Sequence, residues 1–158
     1  MADEPNSTEP AGAPSLGDLA SRGTAQSLAL GFEGAMGAAS MRAPFRADLV
    51  GDPADGGLAN GVIYTLLDQT CGSAVSVKVR LANPNDTDPR RFGSMATLDF
   101  RIDFIRPARP GAGVTGQAEC YAVDGGVAFV RGLAFEDDPA DPVATAQAAF
   151  MLTEPPAA

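Results

Sequence analysis

The stretch "ANGVIYTLLDQTCGSAV", residues 59–75, decides the fold of this chain. Its apolar side chains recur every three to four positions, the spacing of one buried face of an α-helix. The segment therefore predicts a long central helix that begins near Asn60, placed as the N-cap, and ends near Ser76. One ionisable side chain, Asp68, lies in the middle of this apolar helix.

Asp68 admits three interpretations. As a structural residue it would need hydrogen bonds, because a buried carboxylate without partners is costly. Full exposure at the surface is disfavoured by the flanking Leu66, Leu67 and Cys71. As a catalytic group it would lie in an apolar cleft, where loss of hydration disfavours the charged form and makes the carboxylate a stronger base.

Length, composition and net charge limit the classes of protein to which this chain can belong. The chain has 158 residues, 45% of them apolar, which is enough for one domain with a real core. The acidic, proline-rich start predicts a disordered tail over residues 1–15, followed by a single domain over 16–154. The net charge of -9 argues against nucleic-acid and anionic-membrane partners, since both need a basic surface.

The chain contains no histidine. This excludes Ser-His and Cys-His nucleophile pairs and histidine metal sites, so acid-base work would fall to carboxylates. The two cysteines, Cys71 and Cys120, are too few for a disulfide framework and favour a reduced, cytoplasmic setting. No metal or redox cofactor is predicted.

Sequence patterns typical of β-strands occur both before and after the predicted helix. Residues 32–44 predict a first strand, and residues 80–94 have the turn chemistry of a surface loop. In "MATLDFRIDFIRPA", residues 95–108, the alternation places Leu98, Phe100, Ile102 and Phe104 on one face and Thr97, Asp99, Arg101 and Asp103 on the other. Three further strands are predicted near residues 114–123, 127–136 and 143–152, with a hairpin turn at 124–126. The result is an α+β domain with an antiparallel sheet covering the long helix.

Three segments resemble one known family: "GLANGVIYTLLDQTCG", "TLDFRIDFIRPARPG" and "VAFVRGLAFEDDPADPVATAQAAFM". They are similar to the phenylacetyl-CoA thioesterase-like branch of the hotdog-fold acyl-CoA thioesterases, within the 4-hydroxybenzoyl-CoA thioesterase superfamily. The resemblance covers residues 31–152. It implies the hotdog fold, a homodimer or a homotetramer built as a dimer of dimers, and active sites at the interface between two protomers.

The resemblance also implies roles for single residues. Family members carry His-Gly-Gly at the helix entrance and an acidic residue nine positions after the histidine. Here Ala59 stands at the histidine position, Asn60 and Gly61 at the glycines, and Asp68 at the acid. The acid would activate water or attack the thioester, and a backbone N–H at the helix start would hold the oxyanion. A plain N-cap is the alternative for Asn60.

Further residues are candidates for substrate contact. The resemblance places Thr97 near the attacking group, although an ordinary outward-facing threonine is the alternative. Arg106, Arg109 and Arg131 are candidates for the phosphates of coenzyme A, because a guanidinium pairs with phosphate in a forked geometry. Arg90 and Arg91 in the long loop are further candidates. Solvated surface charge is the alternative for every one of these arginines.

The sequence thus predicts an acyl-CoA thioesterase. Asp68 would act as base or nucleophile, the backbone of Asn60 and Gly61 as oxyanion site, and Thr97 as an assisting group. Because Ala59 and Asn60 depart from the family motif, a catalytically weak acyl-CoA-binding or scaffold protein is the alternative.

Overall fold

The computed structural model describes residues 27–32, 39–85 and 95–153. Their elements are β1 (Gly31–Phe32), β2 (Ala39–Ala43), a 3₁₀ turn (Ala47–Leu49), α1 (Asn60–Ala82), β3 (Met95–Phe104), β4 (Val114–Asp124), β5 (Val127–Phe135) and β6 (Ala144–Leu152). The strands form a six-stranded antiparallel sheet in the order β1-β2-β4-β5-β6-β3, against which the long helix α1 packs. The predicted α+β architecture, a long helix covered by an antiparallel sheet, is confirmed. The predicted tail, residues 1–15, and the start of the predicted domain lie outside the described residues.

Helix α1 forms because its apolar stripe has a sheet to cover. Its buried face includes Ile63, Leu66, Leu67 and Val75, and it packs chiefly on β4, β2 and β5. The predicted end near Ser76 is wrong, since the helix continues for six residues to Ala82. The stripe itself continues, because Val79 packs against the core. Turn chemistry begins only at Asn83, which precedes a proline and is therefore disfavoured in helical conformation.

The predicted first strand is wrong as a single element. Gly31 and Phe32 pair antiparallel with Arg42 and Met41, so the two ends of the predicted strand lie side by side. Glycines disfavour one continuous strand through this segment. Of the predicted loop 80–94, residues 80–82 belong to α1, and residues 86–94, including Arg90 and Arg91, lie outside the described residues.

The three later strands are confirmed to within one residue at each end. The predicted hairpin turn between β4 and β5 is also confirmed, with Gly125 and Gly126 at φ values of 55° and 78°. Such left-handed backbone conformations favour glycine, and two in succession match the twist of a two-residue hairpin. These strands build the centre of the sheet on which α1 rests.

Strand β3 contains a bulge that the regular alternation missed. Thr97 pairs with Phe150 and Asp99 pairs with Ala149, which leaves Leu98 without a partner on β6. A bulge changes the phase of alternation by one residue. Thr97 therefore shares the helix-facing side with buried Phe150, and its predicted place on the outer face is wrong. Leu98 was expected on the same face as Phe100, but it is the extra residue and is half exposed.

Strand β3 is also an edge of the sheet, and α1 covers this edge poorly. The helix makes fewer contacts with β3 than with any other strand it is packed on. Phe104 is 40% exposed and Ile105 is 58% exposed, while exposed Tyr64 of α1 packs edge-on against Phe100 at 4.9 Å between ring centroids. None of the helices in the described residues combines the length and the hydropathy that a membrane span requires.

Candidate active site

The start of α1 offers backbone donors to a cavity. Ala59 is the N-cap, and its carbonyl accepts hydrogen bonds from the N–H groups of Val62 and Ile63. Asn60 is already helical, so the prediction that it is the N-cap is wrong by one residue. Among the described residues, the N–H groups of Asn60 and Gly61 have no acceptor. They lie at the positive end of the helix dipole.

This cavity, the helix-start cavity, has a volume of about 470 Å³. Its lining includes Ala59, Asn60, Phe104, Ile105 and Arg106. The side chain of Asn60 is exposed and has no hydrogen-bond partner among the described residues. A free amide therefore stands beside the free backbone donors, in the place where the family motif has glycine.

Asp68 lies two turns further along α1. Its side chain is half-buried, and within the described residues its carboxylate has no hydrogen bond or ion pair. Burial raises the pKa of Asp68 above its usual value, with no opposing positive charge. The structural interpretation required hydrogen bonds to offset desolvation, and the described residues supply none.

A small second cavity, the Asp68 cavity, opens beside this carboxylate. It has a volume of about 220 Å³ and is lined by Asp68, Gln69, Gly72, Ser73, Ser76, Met95, Thr97 and Phe150. The β3 bulge is what brings the Thr97 hydroxyl to this side of the sheet. Asp68 and Thr97, predicted as one site from the resemblance, thus border the same cavity.

The two cavities lie at opposite ends of β3. The Asp68 cavity includes Thr97 near the start of the strand, and the helix-start cavity includes Phe104 at its end. Eight positions of helix separate Asn60 from Asp68, which corresponds to about 12 Å at about 1.5 Å per residue. Within one chain, Asp68 and the free N–H groups are therefore too far apart to act on the same carbonyl.

The three predicted phosphate-binding arginines all have carboxylate partners. Arg106 binds Glu136 at 2.7 Å and Asp141 at 2.9 Å, and hydrogen bonding to both raises the pKa of Arg106. Arg109 binds Asp137 and Glu136, and Arg131 binds Glu119 at 2.8 Å. Their role in phosphate binding stays a prediction.

Arg131 and Glu119 line neither the helix-start cavity nor the Asp68 cavity. They border a third cavity of about 540 Å³, together with Asp103, Gln117 and Gln147. Pairing registers place Arg131 and Gln147 opposite each other, out of phase with buried Val130 and Ala148. This third cavity is therefore on the sheet face that points away from α1.

Sequence reasoning missed Glu136. Its side chain is only 2% exposed and is the shared partner of Arg106 and Arg109. A usable signal was present, because a carboxylate that directly follows a largely apolar strand needs cationic partners if it is buried. Two such cations, Arg106 and Arg109, stand in "IRPAR", directly after β3. Single-sequence reasoning had no way to measure how close the two segments come.

The two cysteines behave as buried small residues. Burial, with a contribution from the nearby Asp68 charge, raises the pKa of Cys71 to about 12, so its thiol stays protonated at neutral pH. Both cysteines are free. Across residues 27–32, 39–85 and 95–153, no three Asp, Glu or Cys side chains come together as a metal site would require.

The fold and the helix carboxylate define a class: a hotdog-fold protein with an acid on its central helix. The family model of the thioesterase superfamily matches residues 55–143, more than half of the chain. The chain therefore belongs to the thioesterase superfamily, and the predicted family is confirmed. No curated protein matches the chain.

Solved structures agree with this fold. A protein from Pseudomonas aeruginosa is 37% identical, covers 81% of this chain and 88% of its own, and superposes with a TM-score of 0.65. A Shewanella oneidensis protein related to the thioesterase superfamily is 20% identical, over 81% of this chain and 85% of its own, with a TM-score of 0.73. The PaaI protein from the phenylacetic acid degradation operon of Escherichia coli is 13% identical, over 83% of this chain and 84% of its own, with a TM-score of 0.63. The predicted hotdog fold is confirmed.

Proposed function

We propose that this protein hydrolyses an acyl-CoA thioester to the free acid and coenzyme A. The observation that carries the proposal is the Asp68 carboxylate, which is half-buried, has no partner among the described residues and borders a cavity with Thr97. A carboxylate kept basic by burial is suited to activate water or to attack a carbonyl. Membership of the thioesterase superfamily supports the reaction class.

Two routes fit this carboxylate. As a base, Asp68 takes a proton from water while the water oxygen bonds to the thioester carbonyl carbon. As a nucleophile, its oxygen forms an anhydride with the acyl group, which water then hydrolyses. In both routes the C–S bond breaks and coenzyme A leaves as a thiolate, a good leaving group, so neither route needs a histidine as general acid.

The oxyanion site of the proposal is the helix-start cavity. The free N–H groups of Asn60 and Gly61, at the positive end of the helix dipole, would bind the negative charge that develops on the carbonyl oxygen. The Asn60 amide can add a side-chain donor in the absence of the histidine that Ala59 replaces. Thr97 would assist by hydrogen bonding near the attacking group.

The site is complete only between two protomers. The edge strand β3 can pair antiparallel with β3 of a second copy about a two-fold axis near its middle, which leaves no free edge there. That pairing brings the Thr97 end of one strand against the Phe104 end of the other. It thereby places Asp68 of one protomer beside the partner's helix start, and it covers exposed Phe104, Ile105 and Tyr64. A homodimer is the minimal active unit of the proposal, and a dimer of dimers is its larger form.

Other parts of the proposal concern substrate and location. Arg106, Arg109 or Arg131 would bind coenzyme A phosphates only by sharing a guanidinium that already has a carboxylate partner. The two free cysteines are compatible with the reducing cytoplasm. The alternative function, a catalytically weak acyl-CoA-binding or scaffold protein, is favoured by one observation, the alanine at the histidine position of the family motif.

A panel of acyl-CoA esters tests the proposal. Aromatic and aliphatic esters are incubated with the purified protein, and released coenzyme A is measured with a thiol reagent. We expect hydrolysis of at least one ester far above the uncatalysed rate. Binding of an ester by calorimetry with no release of thiol would instead support the alternative.

The pH dependence of turnover should report a single carboxylate. Because burial raises the pKa of Asp68, kcat/KM should rise with pH through one ionisation above the usual aspartate value of about 4 and then level off. The chain has no histidine, so diethylpyrocarbonate under histidine-selective conditions should leave the rate unchanged. A rate limited by an ionisation near pH 8 or above would contradict the role of Asp68.

Gly72 should control the size of the acyl group. A Cβ at this position would meet only Met95 and Phe150, both at 3.9 Å, so Gly72→Ala should be tolerated. The longer side chain of Gly72→Leu would fill the Asp68 cavity. We expect it to lower kcat/KM for large acyl groups by about tenfold or more, and for acetyl-CoA much less. An equal loss for all chain lengths would mean that the acyl group does not enter this cavity.

A further inference from the structure

Glu136, directly after β5, is a buried carboxylate with hydrogen bonds to both of its oxygens. Its Oε1 accepts the backbone N–H of Arg109 at 2.6 Å and a guanidinium N–H of Arg106 at 3.3 Å. Its Oε2 accepts a second Arg106 N–H at 2.7 Å. Burial works to raise the pKa of Glu136, but the hydrogen bonds from Arg106 and Arg109 outweigh it and hold the pKa below its usual value. Glu136 is therefore charged at neutral pH.

These bonds fix the segment that follows β3. Arg106 also donates to the carboxylate and to the carbonyl of Asp141. The N–H groups of Ile105 and Arg106 both donate to the carbonyl of Val143. Residues 105–109 are thus held to the segment that joins β5 to β6, residues 136–143, by side chains and backbone together.

The fixed segment in turn supports the entrance to α1. Ala108, between the two arginines, is buried, and its carbonyl lies so close to Gly57 that a Cβ there would come within 2.1 Å of the oxygen. The N–H of Gly111 also donates to the carbonyl of Gly56. Gly57 is three residues before Asn60. A continuous chain of contacts therefore leads from Glu136 to the free N–H groups at the helix start.

We infer that Glu136 is a positioning residue for the oxyanion site: it holds residues 106–109 against Gly57 and so fixes the N–H groups of Asn60 and Gly61. The inference rests on the proposed function. It gives Arg106 and Arg109 an architectural role, in which their charges neutralise Glu136. Because oxyanion stabilisation depends on donor placement, a small shift of the helix start should lower turnover more than substrate binding.

The test compares Glu136→Gln with a matched control, Glu119→Gln, which removes an exposed carboxylate that pairs with Arg131 on the other face of the sheet. We expect Glu136→Gln to lower kcat by about tenfold or more with KM changed less than about twofold, and the control to keep the wild-type kcat, whatever the release of Arg131 does to its KM. Amide hydrogen exchange over residues 57–63 should accelerate in Glu136→Gln and stay unchanged in the control.

A double variant separates positioning from general stability. Gly61→Pro removes one proposed oxyanion donor, so adding Glu136→Gln to it should cost much less than Glu136→Gln costs alone. Additive losses, or a wild-type kcat in folded Glu136→Gln, would overturn the inference. Should Glu136→Gln fail to fold, Asp141→Asn replaces it, because Asp141 is the exposed second partner of Arg106. This variant should lower kcat by less than Glu136→Gln would. An unchanged kcat in Asp141→Asn would also overturn the inference. If the wild-type protein releases no thiol from any ester, the proposed function fails, and the exchange measurement still decides whether Glu136 fixes the helix start.

Discussion

Replacing Asp68 by asparagine should lower hydrolysis by on the order of a hundredfold or more, because general-base catalysis alone commonly contributes that much. Asparagine keeps the size of the side chain but cannot take a proton or form an anhydride. KM should change little, since asparagine keeps the shape of the side chain that lines the Asp68 cavity. The measurement is turnover on the best ester of the panel, with oligomer size determined on the same preparation. Near-normal turnover in a folded oligomer would remove Asp68 from the mechanism.

The same variant should be more stable than the wild type at neutral pH. The folded-state pKa of Asp68 is raised, so its contribution to stability is complete below the unfolded pKa of about 4 and is lost as pH rises through the folded value. Above that value, the wild type carries a half-buried charge that asparagine lacks. The Tm of Asp68→Asn should therefore exceed that of the wild type at pH 7, and the gap should shrink on acidification. A structural role for Asp68 predicts the reverse, a lower Tm and loss of assembly.

Removing the Gly61 donor should be comparably severe. Gly61 is the second residue of α1, so its N–H has no acceptor within the helix, and Gly61→Pro deletes this N–H without removing a helix hydrogen bond. A Cβ at Gly61 meets nothing within 4 Å, so the matched control Gly61→Ala should fold and keep its N–H. Loss of a single oxyanion donor typically costs about a hundredfold to a thousandfold in kcat. We expect that loss for proline and near-normal kcat for alanine, whereas equal losses in both would point to packing at the helix start.

Mixing the two inactive variants tests whether the site spans two protomers. When Asp68→Asn and Gly61→Pro chains are unfolded together and reassembled, half of the dimers should be mixed, and each mixed dimer has one intact site. Activity should return to about a quarter of the wild-type value. A site contained in one chain would give no recovery. A monomer by light scattering at micromolar concentration would contradict the interface site directly.

Much of the fold was predictable because each element has its own local pattern. The apolar stripe around Leu66 and Leu67 indicated the helix, and the turn at Gly125 and Gly126 fixed the β4–β5 hairpin. The errors occurred where the local pattern and the backbone disagreed. In β3 the alternation stayed regular while the backbone formed a bulge at Leu98. At the end of α1 the backbone stayed helical while the small residues near Ser76 weakened the apolar stripe, which Val79 resumes.

In the candidate site, too, residues with a local sequence signal were predicted and residues without one were missed. Asp68 stood out as a charge within an apolar helix, since burial and charge are both visible in sequence. Glu136 did not, because its importance arises from the approach of two segments about 30 residues apart, Arg106 and Glu136. Free donors at the helix start are expected from helix geometry alone. Their distance from Asp68 became an argument for a two-protomer site only when the structure placed the helix start and Asp68 at opposite ends of β3.

The bulge at Leu98 has a consequence for comparing members of this family by sequence. If Leu98 were deleted, Thr97 would precede Asp99 directly, and ordinary alternation would still put Thr97 on the side of Phe100. A relative can therefore be one residue shorter here and keep its hydroxyl beside the helix acid. An alignment that conserves the site must place the gap at Leu98, because a gap anywhere between Asp68 and Met95 would shift the hydroxyl out of correspondence.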